Sequence, residues 1–354
     1  MINARGRRGL GGFVSGCILI FAASCQQPET DSGPGSSSAG VAATHGTITR
    51  KDARFDELIP LGARLEKLAE GFEWAEGPVW VRSGGYILFS DIPRNAVMKW
   101  KEGERESTVF LKPSGYSGTA PRGGEAGSNG LAIDPQGRLI LCEHGDRRVA
   151  RLEKDGRKTT LADSYQGKRL NSPNDAVLHS NGDIYFTDPP YGLEQGLQDP
   201  LRQLDFQGVY RISTTGDLTL LTREISYPNG IAFSPDEKTL YVACSDPAKA
   251  VWYAFPVAAD GTLRSGRIFF DATPWVKEGK KGLPDGLKVD RGGNLFATGP
   301  GGVHVFTPDG VHLGTIDPGE ATANCAWGGD GSVLYLTADR YLLRIQTATR
   351  GAGF

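Results

Sequence analysis

The chain has 354 residues, and 39 Lys and Arg balance 41 Asp and Glu to a net charge of -2, which leaves no basic footprint for nucleic acid. Hydrophobic residues make up 39% of the chain, enough for a substantial core. Its 49 glycines and 21 prolines fall mostly between apolar runs, which argues against long helices and for many short strands joined by turns.

Residues 1–25 carry the pattern of a bacterial export signal: Arg5, Arg7 and Arg8, then the apolar stretch Phe13 to Phe21, then small residues up to Cys25. The run is too short to span a bilayer as a mature helix. Ala22-Ala23-Ser24-Cys25 resembles the lipobox of bacterial lipoproteins, with Ala22 where Leu is usual, and Gln26 fits sorting to the outer membrane. The expected location is therefore the periplasm, with a lipid anchor as the only membrane contact. Residues 26–54 are expected to be a flexible linker. The part up to about Gly46 is rich in Ser, Gly, Pro, Ala and Thr and too poor in large apolar side chains to offset its ordering entropy. Cys142, Cys244 and Cys325 follow with no CxxC spacing and are expected to be buried and inert.

Residues 55–354 repeat one phrase, a polar head, small or apolar residues, a turn, an apolar strand and a polar tail. The copies begin at Glu76, Ser128, Pro173, Pro228, Pro284 and Ala323, at intervals of about 40 to 55 residues, the range of propeller blades. Alternating runs such as Gly182-Asp-Ile-Tyr-Phe-Thr and Ser332-Val-Leu-Tyr-Leu-Thr follow turn signals, and a further strand follows each. An all-β, six-bladed β-propeller is predicted, with Arg64 to Ala69 as the outer strand of the last blade. Residues 191–207 and 271–281 are expected as loops near a face of the disc. Trp80, Trp252 and Trp327 are expected to pack between blades.

The six heads are Glu76, Asn129, Asn174, Asn229, Asp285 and Asn324, and every one carries a side-chain oxygen. Inner strands of a propeller surround an axis, so equivalent positions form a ring near one mouth of the channel. Carboxylates mixed with neutral amide oxygens suit a hard cation such as Ca²⁺. Taken singly, Asn-Gly and Asp-Gly are turn dipeptides; six registered copies favour the metal reading.

Glu76-Gly77-Pro78 followed by Trp80, Asn171-Ser172-Pro173-Asn174-Asp175, Pro228-Asn229-Gly230 and Pro284-Asp285-Gly286 together resemble the SMP-30/gluconolactonase/regucalcin-like family, as do Gly167 to Asp175 and Phe186 to Gly192. The resemblance implies a six-bladed propeller with a divalent cation on the axis, Ca²⁺ first with Zn²⁺, Mg²⁺ or Mn²⁺ as alternatives, and hydrolysis of sugar lactones or related esters. It implies Glu76, Asn229 and Asp285 as metal ligands, Asn174 as a fourth ligand or substrate contact, and Asp175 beside the site. In the implied mechanism the cation polarises the lactone carbonyl while Asp285, a ligand with one oxygen free, activates water.

Asn129, Glu143, His144 and Asp175 complete the expected site as substrate contacts. Glu143 and His144 stand where Asp91 and Asp188 stand in their blades, and a blade-to-blade hydrogen bond is the other reading of His144. The loop containing Arg122-Gly-Gly-Glu is a candidate lid. The competing functions are hydrolysis of other esters, lactones or phosphotriesters on this scaffold, and a non-catalytic binding propeller. No sequence feature sets an oligomeric state.

Overall fold

A computed structural model of the chain describes residues 45–354. The expected export signal, Cys25 and most of the expected linker lie outside the described residues. Within them, six antiparallel sheets of four or five strands form the blades, joined by one small two-stranded ribbon. Blade 1 begins at Ala75–Val81, blade 2 at Ser128–Ile133 and blade 3 at Ala176–Leu178. Blades 4, 5 and 6 begin at Pro228–Phe233, Leu287–Val289 and Thr322–Gly328. Each of these inner strands packs against the next, and that of blade 6 against that of blade 1, which closes the predicted ring.

Closure is completed by the strand Leu65–Glu70, which pairs antiparallel with Tyr341–Gln346 and supplies the outer edge of blade 6, as expected. The folded part begins earlier than Phe55. Thr47–Arg50, inside the stretch expected as linker, pairs with His312–Asp317 as a fifth strand of blade 5. The short helix Arg54–Leu58 follows, and its Phe55 is fully buried in the interface of blades 5 and 6. The physical reason is the edge of blade 5: its outer strand has free backbone donors and acceptors that a polar segment satisfies without burying large side chains.

The core is divided by blade. Six apolar clusters occupy the six interfaces between neighbouring blades, for example Val81, Leu88 and Val97 of blade 1 against Leu131, Leu139 and Leu141 of blade 2. Inward alternation along each strand supplies one half of a cluster, and the neighbouring blade supplies the other. The three tryptophans pack between blades as expected: Trp80 stacks on Tyr335 of blade 6, Trp252 is buried between blades 4 and 5, and Trp327 donates to the Val289 carbonyl of blade 5. Cys142, Cys244 and Cys325 are buried free thiols.

Hydroxyls staple successive blades near the axis. Ser90 donates to the Asn129 carbonyl at 2.7 Å, Thr187 to that of Asn229 at 2.8 Å and Thr298 to that of Ala323 at 2.9 Å, while Ser245 donates to the Pro284 carbonyl. At four of the six heads the residue that follows then has no room for a side chain, and is glycine. A Cβ on Gly230 would lie 2.2 Å from the Asp285 carbonyl oxygen, and one on Gly77 would lie 2.1 Å from that of Asn129. Asn-Gly at 229–230 is thus a strand dipeptide kept small by the next blade, not a turn. Gly230→Ala is expected to cost about 1–3 kcal/mol through overpacking, whereas Gly62→Ala, with nothing within 4 Å of the added carbon, should stay within about 0.5 kcal/mol. Chemical denaturation of the two variants checks this; equal stability would show that the inner strands are free to separate.

Candidate active site

In four of the six blades the inner strand is bulged at its polar head. Pairing with the second strand slips between Glu76 and Val79, between Ser128 and Leu131, between Pro228 and Ile231, and between Thr322 and Asn324. A bulge re-aims a side chain that regular alternation would send into the blade interface. Asn174 and Asp285 instead stand two residues before their strands, their backbone amides donating to the Thr187 and Thr298 carbonyls. Together with Glu76, Asn129 and Asn229 they line one cavity of about 380 Å³. At roughly 30 Å³ per water it holds about a dozen waters, a space suited to a single sugar ring. Trp74, Tyr191 and Leu283 form apolar walls, and Glu125 reaches in from the candidate lid.

Four side chains form a directed chain of hydrogen bonds across blades 2 to 4. Asn129 Nδ2 donates to Asn174 Oδ1 at 2.8 Å, Asn174 Nδ2 to Asn229 Oδ1 at 2.5 Å, and Asn229 Nδ2 to Ser245 Oγ at 3.0 Å. Asn229 Oδ1 retains a second lone pair, whereas Asn174 Oδ1 has a second contact from His144 at 3.2 Å. Asn324, the sixth head, donates to Glu76 Oε2 at 3.3 Å instead of lining the cavity.

The two head carboxylates sit in a costly environment. Glu76 is 2% exposed, and its Oε2 accepts a 2.6 Å bond from the Gly77 amide. Burial pushes its carboxyl up to about 8, opposed by the Gly77 bond and aided by the charge of Asp175. Burial also raises Asp285 well above the carboxylate range, and Glu76 adds to the effect. Asp285 Oδ1 and Asn129 Oδ1 are buried without hydrogen-bond partners. Such orphaned oxygens call for an explanation, an ion among them. Among the described residues no three His, Cys, Asp or Glu side chains gather as a metal cluster, consistent with a donor set that is half amide.

Three expected substrate contacts stand elsewhere. Glu143 is buried and ion-paired, to Arg148 at 2.5 Å and Lys158 at 2.7 Å. Its counterparts Asp91 and Asp188 likewise tie down structure: Asp91 accepts from the backbone of Glu73 and Trp74, and Asp188 from that of Asn171 and Ser172. These tail carboxylates anchor blades, because the strand's phase turns them away from the cavity. Asp175 is 2% exposed and lies outside the cavity lining, with Oδ1 bound to its neighbour's amide, Ala176. Burial raises its carboxyl while Lys288 opposes the shift.

His144 is fully buried. One ring nitrogen lies 2.9 Å from Glu125 Oε2 and the other 3.2 Å from Asn174 Oδ1. It lies outside the cavity lining and contacts Asn174, a cavity residue of the next blade, the arrangement of the blade-to-blade reading. Trp74, Tyr191, Ser245 and Leu283 went unsingled in the sequence, although the insertion beginning at Tyr191 and the lid segment containing Glu125 were marked as face loops. Trp74 stands two residues before a head, the only signal that marked it.

Residues 74–340 match the model of the SMP-30/Gluconolactonase/LRE-like region. The chain is 38% identical to a gluconolactonase of Zymomonas mobilis over 87% of its own length and 88% of that protein. It is 26% identical to a pentonolactonase of Haloferax volcanii, over 77% of this chain and 85% of that one. The solved structure of a gluconolactonase from Xanthomonas campestris superposes with a TM-score of 0.74 at 34% identity, covering 86% of this chain and 96% of that one. With its six-bladed architecture and its ring of oxygen donors, this chain belongs to the SMP-30/gluconolactonase/LRE-like family.

Proposed function

We propose that the protein is a lactone hydrolase of gluconolactonase type that works with a divalent cation. The observation that carries this is the convergence of Glu76, Asn174, Asn229 and Asp285 from four blades onto one small cavity, with Asp285 Oδ1 lacking a partner. The gluconolactonases at 38% and 34% identity, matched over most of both chains, support the ester bond of a sugar lactone as the target.

The residues present fit a cation. Two buried carboxylates whose ionisation burial opposes would be stabilised as anions by a bound cation. Glu76, Asn174, Asn229 and Asp285 would hold it. Hard oxygen donors without imidazole or thiolate favour Ca²⁺ over Zn²⁺. When bound, the ion supplies Lewis-acid polarisation of the lactone carbonyl.

The chain's own groups do the rest. Asp285 Oδ1 accepts a proton from the attacking water as the water oxygen bonds to the carbonyl carbon. The ring C–O bond then breaks, and the ring oxygen leaves as a hydroxyl with that proton. The resulting sugar acid ionises to a carboxylate. Asn129 and Asn174 offer polar contacts to the sugar, held in orientation by the amide chain and by His144. Trp74, Tyr191 and Leu283 limit entry of further water.

Export completes the reading. The basic, apolar and small-residue segments ending at Cys25 support a lipoprotein whose propeller is held off the periplasmic face of the outer membrane by a tether.

Asp285→Asn is expected to lower kcat/KM for D-glucono-1,5-lactone by about 10²–10⁴, and EDTA to abolish turnover until Ca²⁺ is restored. Steady-state assays read both, and turnover that survives both treatments sinks the assignment. A second outcome concerns stability in EDTA. The Glu76 carboxyl has its ordinary value of 4.5 in the unfolded chain, and burial pushes it up to about 8 in the folded one. A raised carboxyl contributes stability that is fully present below the lower value and lost as pH rises through the upper. Stability should therefore fall between pH 4.5 and 8, and less steeply in Glu76→Gln; denaturation at stepped pH showing equal slopes would refute it. Cys25→Ser should move the protein from the membrane to the soluble fraction of its host, and unchanged fractionation would rule out the anchor.

A further inference from the structure

A second cavity, of about 600 Å³, is lined by Arg122, Arg147, Arg148 and Arg169, with Asp146 and Asp163 also on its wall. Arg148 is committed to carboxylates, Glu143 at 2.5 Å and Asp146 at 3.2 Å. The other three guanidiniums are held by backbone carbonyls. Arg122 donates to Gly145 and Gly192, Arg169 to Asp146, and Arg147 to Leu170, Asn171 and Leu201. Among the described residues none of these three forms a salt bridge.

Arg147 is the telling member. It is 8% exposed, so its charge is taken out of water with no carboxylate in salt-bridge contact, although the charges of Asp188 and Asp199 favour it from farther off. Its carbonyl partners occupy Nε and one N–H on each terminal nitrogen, leaving two of five N–H groups. Arg122 Nε is also buried without an acceptor. Burial, and after it the charge of Arg169, hold Arg147 below the usual arginine range. Converging guanidiniums with unused N–H groups match the planar fork that phosphate and carboxylate accept.

We propose that this cavity is an oxyanion site, taking a phosphate group or a carboxylate through Arg122, Arg147 and Arg169. It adjoins the first cavity through shared segments. Arg122 binds the carbonyl of Gly192, whose neighbour Tyr191 lines the first cavity, and Gly145 follows His144. Glu125, three residues after Arg122, reaches into the first cavity and contacts His144. The anion has two chemical sources, the carboxylate of a sugar acid and a phosphate group, and the site stands whether or not the first cavity hydrolyses lactones.

Calorimetric titration of the purified protein at low salt, with inorganic phosphate and separately with D-gluconate, tests it. One saturable site for phosphate is expected. Gluconate binding at the same site identifies a carboxylate as an acceptable ligand, and phosphate alone restricts it to phosphoryl groups. Arg169 is exposed, so its variants should fold. Arg169→Ala should weaken binding about tenfold and Arg169→Glu should abolish it, each with an unchanged unfolding temperature. Absence of saturable binding by either anion, or full affinity retained in Arg169→Glu, overturns the proposal.

Discussion

The closeness of the inner strands is the constraint on which everything else here depends. Six strands around one axis come near enough that, after four of the six heads, the neighbouring blade occupies the place where a side chain would stand. Glycine after the head is the result at Gly77, Gly130, Gly230 and Gly286. The same closeness drives the heads themselves together. Carboxylates and amides that would each be solvated on an open sheet are forced into one buried space, where like charges raise one another's proton affinity. The site is thus a consequence of how the ring closes.

Two classes of acidic residue show how differently the fold treats the same functional group. Asp91 and Asp188 at the strand tails accept two backbone N–H bonds each, and Glu143 meets two cations. These satisfied groups hold loops to blades. Glu76 keeps one short bond from its neighbour's amide, and Asp285 retains an oxygen with none. Both classes are buried, so burial alone does not identify function. Unmet hydrogen-bonding capacity on a cavity wall separates Asp285 from the rest, since Asp175 Oδ2 also lacks a partner but lies outside the cavity lining.

Much of this was legible in the sequence because each blade must solve the same packing problem. Inward alternation, the turn after the inner strand and the polar head recur in phase, so six copies fix blade number and align the heads. The closing strand was legible for the same reason, since Leu65–Glu70 completes a blade that otherwise lacks an outer edge. What carries no period was not legible. Tyr191 comes from an insertion and Leu283 from the segment just after one, and Ser245 belongs to a position used elsewhere only as a staple. Thr47–Arg50 escaped because an edge strand needs backbone complementarity more than apolar side chains. Glu143 was misplaced because phase along the chain marks an equivalent position, not the partners its carboxylate finds.

One backbone carbonyl dictates the polarity of the amide chain. Pro284 offers only an acceptor, so Ser245 must donate to it and can then receive the Nδ2 of Asn229. Asn229 must therefore turn its oxygen to Asn174, and Asn174 its oxygen to Asn129. Each step removes a choice, and the last oxygen in line, Asn129 Oδ1, is left unpaired beside the cavity. His144 adds a second contact at Asn174 Oδ1, one link before the chain's free end. Pro284 immediately precedes Asp285, so the segment that orients the amides of three blades also presents the carboxylate. A small shift in that segment would reach every one of these oxygens together, which makes the entry to blade 5 the point where fold and chemistry are most tightly joined.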